Sequence, residues 1–249
     1  KNKRIKIVEE PTRGIVYALN TGIQESKGEY IARMDADDIS YPERIEKQIA
    51  YLDNNPDTGV VSCQVGHIST TDNPELQEGI RNYIQWNNKL ITHEEIENNR
   101  FVEAPFIHST VVFRKSLIET HGGYANGDFP EDYELWLRWI AKGVRMHKLP
   151  EVLHDWTDLS NRLRKDDDRY TDQALYELKS SYMIDWLKEN NKFHPEVAVW
   201  GAGRQSRQRF FLLHELGAHA KFYIDLRANP ERKVIQFQHI PPAGRHFIL

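Results

Sequence analysis

The sequence predicts an α/β fold in which helices flank a largely parallel sheet. One observation is that strand-like and helix-like apolar patterns alternate through the first quarter of the chain. Another is a group of aspartates at a strand-to-helix turn, which is where α/β sheets bind ligands. The third is a new strand, glycine turn, helix and strand pattern after Pro195. These observations predict one large α/β domain followed by a small one.

The spacing of apolar residues places the individual elements. Apolar and small residues within 15–23 recur at helical intervals. Ile45, Ile49 and Leu52 recur at the same spacing in the helix after the aspartates. Further predicted elements are strands at 5–8, 31–34, 109–113 and 149–153, short helices in the polar stretch 73–99 with a capping pair at Thr92 and Glu95, and a helix at 172–188.

Three aspartates lie between the strand at 31–34 and the following helix, which we expect to begin in a capping box formed by Ser40 and Glu43. They are Asp35, Asp37 and Asp38. Carboxylates that converge at the end of a strand repel one another unless a hard divalent cation neutralises them. The turn therefore predicts a metal–phosphate site. The alternative is that the acids are solvated turn residues, and a purely structural role stays open for Asp38.

Composition limits the classes of protein that need to be considered. The chain has 249 residues, of which 39% are hydrophobic and 28% charged, as in an ordinary globular protein. Its net charge of -4 argues against a nucleic-acid partner. Cys63 is the single cysteine, which excludes a disulfide within the chain and predicts a cytoplasmic location. No apolar run reaches the length of a membrane span, although a peripheral membrane contact stays open.

Two separated segments resemble a known family. Residues 14–48 read GIVYALNTGIQESKGEYIARMDADDISYPERIEKQ, and residues 122–139 read GGYANGDFPEDYELWLRW. In this order they resemble the catalytic domain of family 2 glycosyltransferases of the GT-A type, with Asp35 and Asp37 at the Asp-x-Asp position. The resemblance implies an inverting transfer of a hexose or N-acetylhexosamine from a nucleoside diphosphate, expected to be UDP, to an acceptor hydroxyl. It also implies Mn2+ or Mg2+ as cofactor and a saccharide, lipid-linked or protein-linked acceptor in polysaccharide biosynthesis.

The resemblance also implies roles for individual residues. Asp37 is implied as a metal ligand and Asp35 as a second ligand or a ribose contact, with His154 completing the metal shell. Asp132 is implied as the general base, and Glu131 as a less favoured base or an acceptor contact. Contacts to the donor are implied for Asp35, Arg13, Trp156, Arg162 and Arg164.

Each of these assignments has a simpler alternative. Glu131 and Asp132 stand in the first turn of a helix, where acids often only complement the helix dipole. The arginines after Trp156 are equally consistent with a solvated basic run, and a lone histidine such as His154 is more often structural. For the whole domain, nucleotidyl transfer and a noncatalytic nucleotide-sugar or partner-binding module are the alternatives. The tryptophan-containing helix that follows the acid pair favours glycosyl transfer.

The predicted organisation has three parts. They are the GT-A catalytic domain (1–170), a connecting helix (171–194) and a small Rossmann-like domain (195–249). Relative to the family, a strand and a helix are expected before residue 1, so we expect an N-terminally extended chain to bind UDP more tightly. The Rossmann-like pattern has Gly201 and Gly203, but Ser206 stands at the third glycine position. We therefore expect a structural or regulatory domain rather than an NAD site.

Overall fold

The computed structural model describes residues 5–69, 73–158 and 167–240. The chain divides into two units, residues 1–170 and 171–249. The first unit carries the turn with Asp35, Asp37 and Asp38, called the aspartate turn, and the acid pair Glu131 and Asp132, called the second acidic motif. The second unit carries the turn with Gly201 and Gly203, called the glycine turn. Among the described residues, no helix combines the length and the apolar character that a bilayer crossing needs.

The first unit is built on a mixed sheet. Its strands are β1 (Tyr30–Ala32), β2 (Ile39–Ser40), β3 (Thr58–Ser69), β4 (Val112–Arg114) and β5 (Arg145–Asp158). They lie in the order β1-β4-β3-β5-β2. β3 and β5 pair in parallel, whereas the pairs β1–β4, β4–β3 and β5–β2 are antiparallel. The α/β class is confirmed, but the short strands β2 and β4 run against their neighbours, so parallel pairing in the described sheet is confined to β3 and β5.

The helices of this unit agree with the apolar spacing. They are α1 (Ile15–Glu25), α2 (Arg44–Asn54), α3 (Pro74–Lys89), α4 (His93–Asn99), α5 (Ser116–His121) and α6 (Glu131–Ala141). α3 is longer than the short helices expected in the polar stretch, and the Asn73 side chain caps it. α4 begins with the capping box predicted from Thr92 and Glu95. Gly14, directly before α1, has a φ of 142°, a conformation that favours glycine.

Tryptophans of α6 form the centre of the main core. Trp136 and Trp139 are fully buried, with ring centroids 5.8 Å apart in an edge-to-face arrangement. Phe106 packs against Trp136 at 5.5 Å, and Phe113 of β4 packs against Trp139 at 5.2 Å. Because residues three apart share one face of a helix, these contacts hold α6 against the sheet.

A bulge in β5 sets its register near the aspartate turn. Three residues of β5, Pro150, Glu151 and Leu153, have no partner position in β3, and proline has no N–H to donate to the ladder. Beyond the bulge, His154 pairs with Ser40 of β2 on one side and with Val65 of β3 on the other. His154 therefore lies inside the sheet, beside the aspartate turn.

Two local predictions are wrong. The capping box expected from Ser40 and Glu43 does not form, because Ser40 belongs to β2 and α2 begins at Arg44 without a side-chain cap. Pairing with β5 takes Ser40 into the sheet and out of reach of the helix start. The strand expected at 5–8 is also absent, and its apolar side chains are exposed.

The second unit contains a parallel sheet. Its elements are α7 (Asp172–Asn190), β6 (Glu196–Trp200), α8 (Arg204–Glu215), β7 (His219–Asp225) and β8 (Val234–Gln236), with strand order β6-β7-β8. The helix expected as a connection, α7, is part of this unit, because its residues Ile184 and Leu187 pack with Val197, Val199 and Phe210 in one core. Strand, glycine turn, helix and strand follow one another as the sequence predicts.

Lys148 is a charged side chain in the core of the first unit. It is fully buried in β5, and its ammonium group donates hydrogen bonds to the backbone carbonyl of Asn87, to Asn87 Oδ1 at 2.6 Å and to the carbonyl of Pro105 at 3.2 Å. Lys148 thereby joins β5 to the end of α3 and to the loop before β4. Burial lowers the pKa of Lys148 from 10.5 to about 7.

The lowered pKa makes stability depend on pH. Between pH 7 and 10.5 the unfolded chain keeps the Lys148 proton, whereas the folded chain has lost it. The free energy of unfolding of the wild type, relative to Lys148→Met, should therefore rise through this window by up to about 1.4 kcal/mol per pH unit. Urea unfolding at several pH values measures this difference. The exposed Lys142→Met is the matched control, for which the difference from wild type should not change with pH. A constant difference for Lys148→Met would show that the folded protein keeps this lysine charged.

Candidate active site

The three aspartates of the turn after β1 converge. One carboxylate oxygen from each of Asp35, Asp37 and Asp38 lies within 4.8 Å of the others. Asp37 is exposed, Asp35 is partly exposed, and Asp38 is buried. Arg33 forms an ion pair with Asp35. The turn thus presents two accessible carboxylates and buries the third.

Asp38 is anchored to β5 by both of its oxygens. Oδ1 accepts a hydrogen bond from the backbone N–H of Thr157 at 2.8 Å, and Oδ2 lies 3.0 Å from Nε2 of His154. His154 Nδ1 lies 3.4 Å from the guanidinium of Arg44, which only donates, so Nδ1 must accept and Nε2 carries the hydrogen. Burial raises the pKa of Asp38, but hydrogen bonds from His154, from Ser109 and from the backbone outweigh it and hold the pKa below its usual value. Asp38 therefore stays ionised in the interior.

Arg44 is a second buried charge beside the turn. Its side chain donates to the carbonyl of Ser109 at 2.6 Å and to the carbonyl of Arg33 at 3.4 Å. Burial lowers the pKa of Arg44, and the negative charge of Asp38 acts in the opposite direction. We call the buried series of Arg44, His154 and Asp38 the anchor chain. It joins the start of α2, the middle of β5 and the aspartate turn.

His154 belongs to the anchor chain rather than to an accessible metal site. It is completely buried, and both of its ring nitrogens have partners within the protein. The prediction that His154 completes a metal shell does not fit this placement, because a histidine ligand needs a free nitrogen lone pair and that of Nδ1 faces Arg44. In the described chain, the acidic oxygens that converge at the turn come from the aspartates.

The second acidic motif begins α6 with two carboxylates in different surroundings. Glu131 is 2% exposed and accepts a hydrogen bond from the Tyr170 hydroxyl at 2.6 Å. Burial and the charge of Glu131 raise the pKa of Tyr170 above its usual value, so this hydroxyl keeps its proton. Asp132 is partly exposed and accepts from the backbone N–H of Tyr133 at 2.8 Å. Asp132 is therefore the more accessible of the two acids.

Side-chain clamps hold the backbone of the loop before α6. Arg138 pairs with Glu134 at 2.8 and 3.0 Å and donates to the carbonyl of Gly123 at 2.7 Å. Asn20 of α1 exchanges two hydrogen bonds with the backbone of Tyr124, at 2.9 and 3.1 Å. A Cβ at Gly123 would lie 2.7 Å from Asn20 Oδ1, so a residue without a side chain permits this clamp. Tyr124 is thereby fixed relative to both helices.

Tyr124 and His108 link the two acidic motifs. The Tyr124 hydroxyl lies 2.7 Å from His108 Nε2. Burial raises the pKa of this phenol, and three carboxylates raise it further against the effect of a nearby arginine: those of Asp132, Glu131 and Asp35. Charges from both acidic motifs therefore act on the same phenol. Tyr124 also lines a cavity together with Asp35 of the aspartate turn.

A cavity of about 470 Å³ extends from Tyr124 along α1 and β1. Arg33, Asp35 and Tyr124 line it together with apolar side chains such as Leu19 and Ile31. A few polar groups beside an apolar wall are the usual composition of a ligand site. The cavity, the aspartate turn and the start of α6 together form the candidate active site.

Comparison with known proteins identifies the family. The model of the family described as "Glycosyl transferase family 2" matches residues 1–122, a range that includes the aspartate turn and ends before α6. The O-antigen biosynthesis glycosyltransferase WbnJ of Escherichia coli is 30% identical over 190 residues, which are 76% of this chain and 68% of that protein. The chain belongs to glycosyltransferase family 2.

For two further relatives of this family 2 chain, the matched residues make up a smaller share of the relative's own length. The amylovoran biosynthesis glycosyltransferase AmsE of Erwinia amylovora is 34% identical over 173 residues, which are 68% of this chain and 61% of that protein. An uncharacterized glycosyltransferase of Haemophilus influenzae is 33% identical over 150 residues, which are 60% of this chain and 52% of that protein. The chain thus spans about half to two thirds of the length of these three relatives.

The remaining predicted donor contacts of this family 2 protein lie in different surroundings. Arg13 is exposed, just before α1. Trp156 of β5 is partly buried, and its ring centroid lies 6.0 Å from that of His67. Arg162 and Arg164 lie outside the described residues. Contact with the donor stays a prediction for these four residues.

Three residues gain importance only from the structure. Tyr124 and Arg44 do not stand out in the sequence as site residues, and His108 has no assignable role there. Their contacts join distant positions: Tyr124 and His108 are 16 residues apart, and Arg44 and His154 are 110 apart. The local signal for Tyr124 is the glycine pair before it, and Arg44 has none.

We predict different effects for neighbouring aspartates of the turn. Asp38→Asn should lower the free energy of unfolding by about 1–3 kcal/mol at neutral pH, because a buried site loses charge-assisted hydrogen bonds. The exposed Asp37→Asn is the matched control and should stay within about 0.5 kcal/mol of wild type. The lowered pKa of Asp38 means that its stabilisation is present above the usual aspartate pKa and is lost as the pH falls through the folded-state pKa, so the deficit should shrink in acid.

Urea unfolding of both variants near neutral pH and in acid tests this difference. Equal stability losses in the two variants would contradict an anchoring role for Asp38. A deficit of Asp38→Asn that persists unchanged in acid would show that the charge of this carboxylate is not what stabilises the fold.

Proposed function

We propose that this protein is an inverting glycosyltransferase that moves a sugar from a nucleoside diphosphate to an acceptor hydroxyl. The proposal rests on two acidic motifs whose charges both act on Tyr124, a residue that lines a cavity together with Asp35. One motif offers Asp35 and Asp37 beside a cavity, and the other offers Asp132. Such a reaction needs a stabilised diphosphate leaving group and a base for the acceptor hydroxyl. Membership of family 2 supports glycosyl transfer over nucleotidyl transfer.

The aspartate turn would hold a divalent cation, Mn2+ or Mg2+. The donor set fits, because carboxylate oxygens of Asp35 and Asp37 are hard ligands and lie within 4.8 Å of each other. When bound, the ion neutralises charge that develops on the diphosphate. Asp38, as the last member of the anchor chain, would keep the shape of the turn. His154 would act on the turn through its hydrogen bond to Asp38 rather than as a metal ligand.

Asp132 is the proposed general base. Glu131 is buried and accepts from Tyr170, whereas Asp132 is accessible at the first turn of α6. An accessible carboxylate can accept the proton of an incoming hydroxyl, and the buried Trp136 keeps the helix that carries it in place. Glu131 would hold Tyr170 rather than exchange protons with the acceptor.

We further propose a UDP-linked donor, transfer of a hexosyl or N-acetylhexosaminyl group, and a saccharide, lipid-linked or protein-linked acceptor in the cytoplasm. The names of two relatives, amylovoran and O-antigen biosynthesis glycosyltransferases, support polysaccharide precursors as acceptors. The proposed donor contacts are Arg13, Trp156, Arg162 and Arg164. Titrating a panel of nucleotide sugars with Mn2+ tests the donor. Binding or turnover of one donor over the rest would identify its base and sugar, whereas binding without any turnover on a panel of acceptors would favour a noncatalytic module.

Asp37→Asn should abolish metal-dependent binding of UDP, because a neutral amide cannot replace the charge of a carboxylate opposite a divalent cation. Calorimetry with UDP and Mn2+, repeated with EDTA, measures the metal-dependent part. Asp57→Asn, at another exposed aspartate of the first unit, is the control and should bind like wild type. Unchanged UDP affinity in Asp37→Asn would remove this residue from the metal site.

Asp132→Asn should leave UDP binding intact and lower the rate of sugar transfer by a factor on the order of 10²–10⁴, the usual contribution of a positioned base. Glu131→Gln is the matched comparison, since the amide oxygen can still accept from Tyr170, and it should keep most of the activity. Initial rates and UDP affinities of both variants give the result. Full activity in Asp132→Asn would exclude it as the base, and a large loss confined to Glu131→Gln would assign that role to Glu131.

A further inference from the structure

A cavity in the second unit is lined by none of the residues assigned to the proposed glycosyl transfer. It has a volume of about 520 Å³ and is lined by Ala202 of the glycine turn after β6 and by Asp225, the last residue of β7. It therefore lies at the carboxyl ends of parallel strands, where α/β sheets bind ligands. Its volume is within the usual range for a small-molecule site.

Arginines dominate the charge of this cavity. Arg207, Arg227 and Arg232 line it, and none of them forms an ion pair with an acid in the described part of the chain. Arg207 is held in place, because its guanidinium lies 3.9 Å over the ring of Tyr223 and its Nε donates to the carbonyl of Ala202 at 3.0 Å. A stacked and hydrogen-bonded guanidinium is preorganised for the oxygens of a phosphate.

Asp225 offers a different group to the same cavity. Its two oxygens accept backbone hydrogen bonds from Ala202 at 2.9 Å and from Leu226 at 2.7 Å, and these bonds lower its pKa. A carboxylate has about four acceptor sites, so each oxygen can accept a further hydrogen bond. An acid at the end of the second strand of such a unit suits the hydroxyls of a ribose. The cavity thus combines acceptors for a ribose with donors for a phosphate.

The glycine turn adds backbone donors to this arrangement. Gly201 has a φ of 100°, and α8 begins at Arg204 without a side-chain hydrogen bond to its first amides. Uncapped amides at a helix start favour an anion nearby. Ser206 replaces the third glycine of the fingerprint, and its Oγ would lie 2.6 Å from a Cβ on Gly201, so the serine packs onto the turn. The described sheet amounts to about one half of a doubly wound domain, which is the size of a mononucleotide-binding half.

We propose that the second unit binds a nucleoside mono- or diphosphate in this cavity without a metal ion. Arg207 and Arg232 bind the phosphate, and Asp225 accepts from the ribose hydroxyls. Among the described residues, the acids that converge closely enough to share a metal ion are Asp35, Asp37 and Asp38 of the first unit. In the second unit the arginines, rather than a metal ion, would balance the negative charge of the phosphate. The site is separate from the proposed donor site and does not depend on the glycosyltransferase activity.

Calorimetry of the whole chain with ADP and with UDP in EDTA tests this site. EDTA removes the ion on which the proposed donor site depends, so saturable binding that remains reports the second unit. Arg232→Gln, a change at an exposed side chain, should weaken this binding about tenfold, as expected for one lost charge-assisted hydrogen bond. Asp37→Asn should leave it unchanged. Arg209→Gln is the matched control on α8, since the Arg209 guanidinium lies over the Tyr176 ring at 4.3 Å, and it should also bind normally.

Three results would overturn the proposal. The first is the absence of saturable ADP or UDP binding in EDTA. The second is an affinity for inorganic phosphate as high as that for either nucleotide, which would leave no role for a ribose on Asp225. The third is EDTA-resistant binding that is lost in Asp37→Asn and kept in Arg232→Gln, which would place the nucleotide in the first unit. Arg207→Gln should weaken nucleotide binding more than Arg232→Gln does. If Arg207→Gln does not fold, the nucleotide affinity of Arg232→Gln tests the proposal.

Discussion

The geometry of the catalytic unit depends on the anchor chain of Arg44, His154 and Asp38. It buries a cation and an anion, which is costly unless hydrogen bonds satisfy both. Arg44 donates to the carbonyl of Ser109 and contacts His154, and Asp38 accepts from His154 and from the backbone N–H of Thr157. The anchor chain joins α2, β5 and the aspartate turn inside the protein. Asp35 and Asp37 can therefore stay accessible on a turn whose shape is set by a third aspartate.

The second acidic motif is held by a separate set of interactions. Arg138 and Asn20 hold the backbone of the loop before α6, and the buried tryptophans hold the helix itself. Tyr124 then meets His108 at a point that both acidic motifs influence electrostatically. Side chains held this way need little rearrangement when a ligand binds, and such preorganisation is a large part of transition-state stabilisation in enzymes.

The two units offer phosphate opposite electrostatic surroundings. In the first unit, converging carboxylates suit a divalent cation that in turn attracts a diphosphate. In the second unit, arginines without acidic partners in the described chain and an uncapped helix start suit a phosphate directly. The same general position, beyond the carboxyl ends of strands, therefore suits two kinds of ligand group because the side chains there differ in charge.

The sequence by itself determined the features that depend on neighbouring residues: the helices with apolar spacing, the capping box of α4, the glycine before α1 and the aspartates between a strand and a helix. The two separated motifs also predicted the family. Tertiary structure decided the rest, because β5 recruited Ser40 into the sheet and turned His154 from an expected ligand into a buried partner of Asp38. It also brought Tyr124 into contact with His108 and onto the same cavity as Asp35. Burial and pairing of residues far apart in the chain control these outcomes, and no local pattern records them.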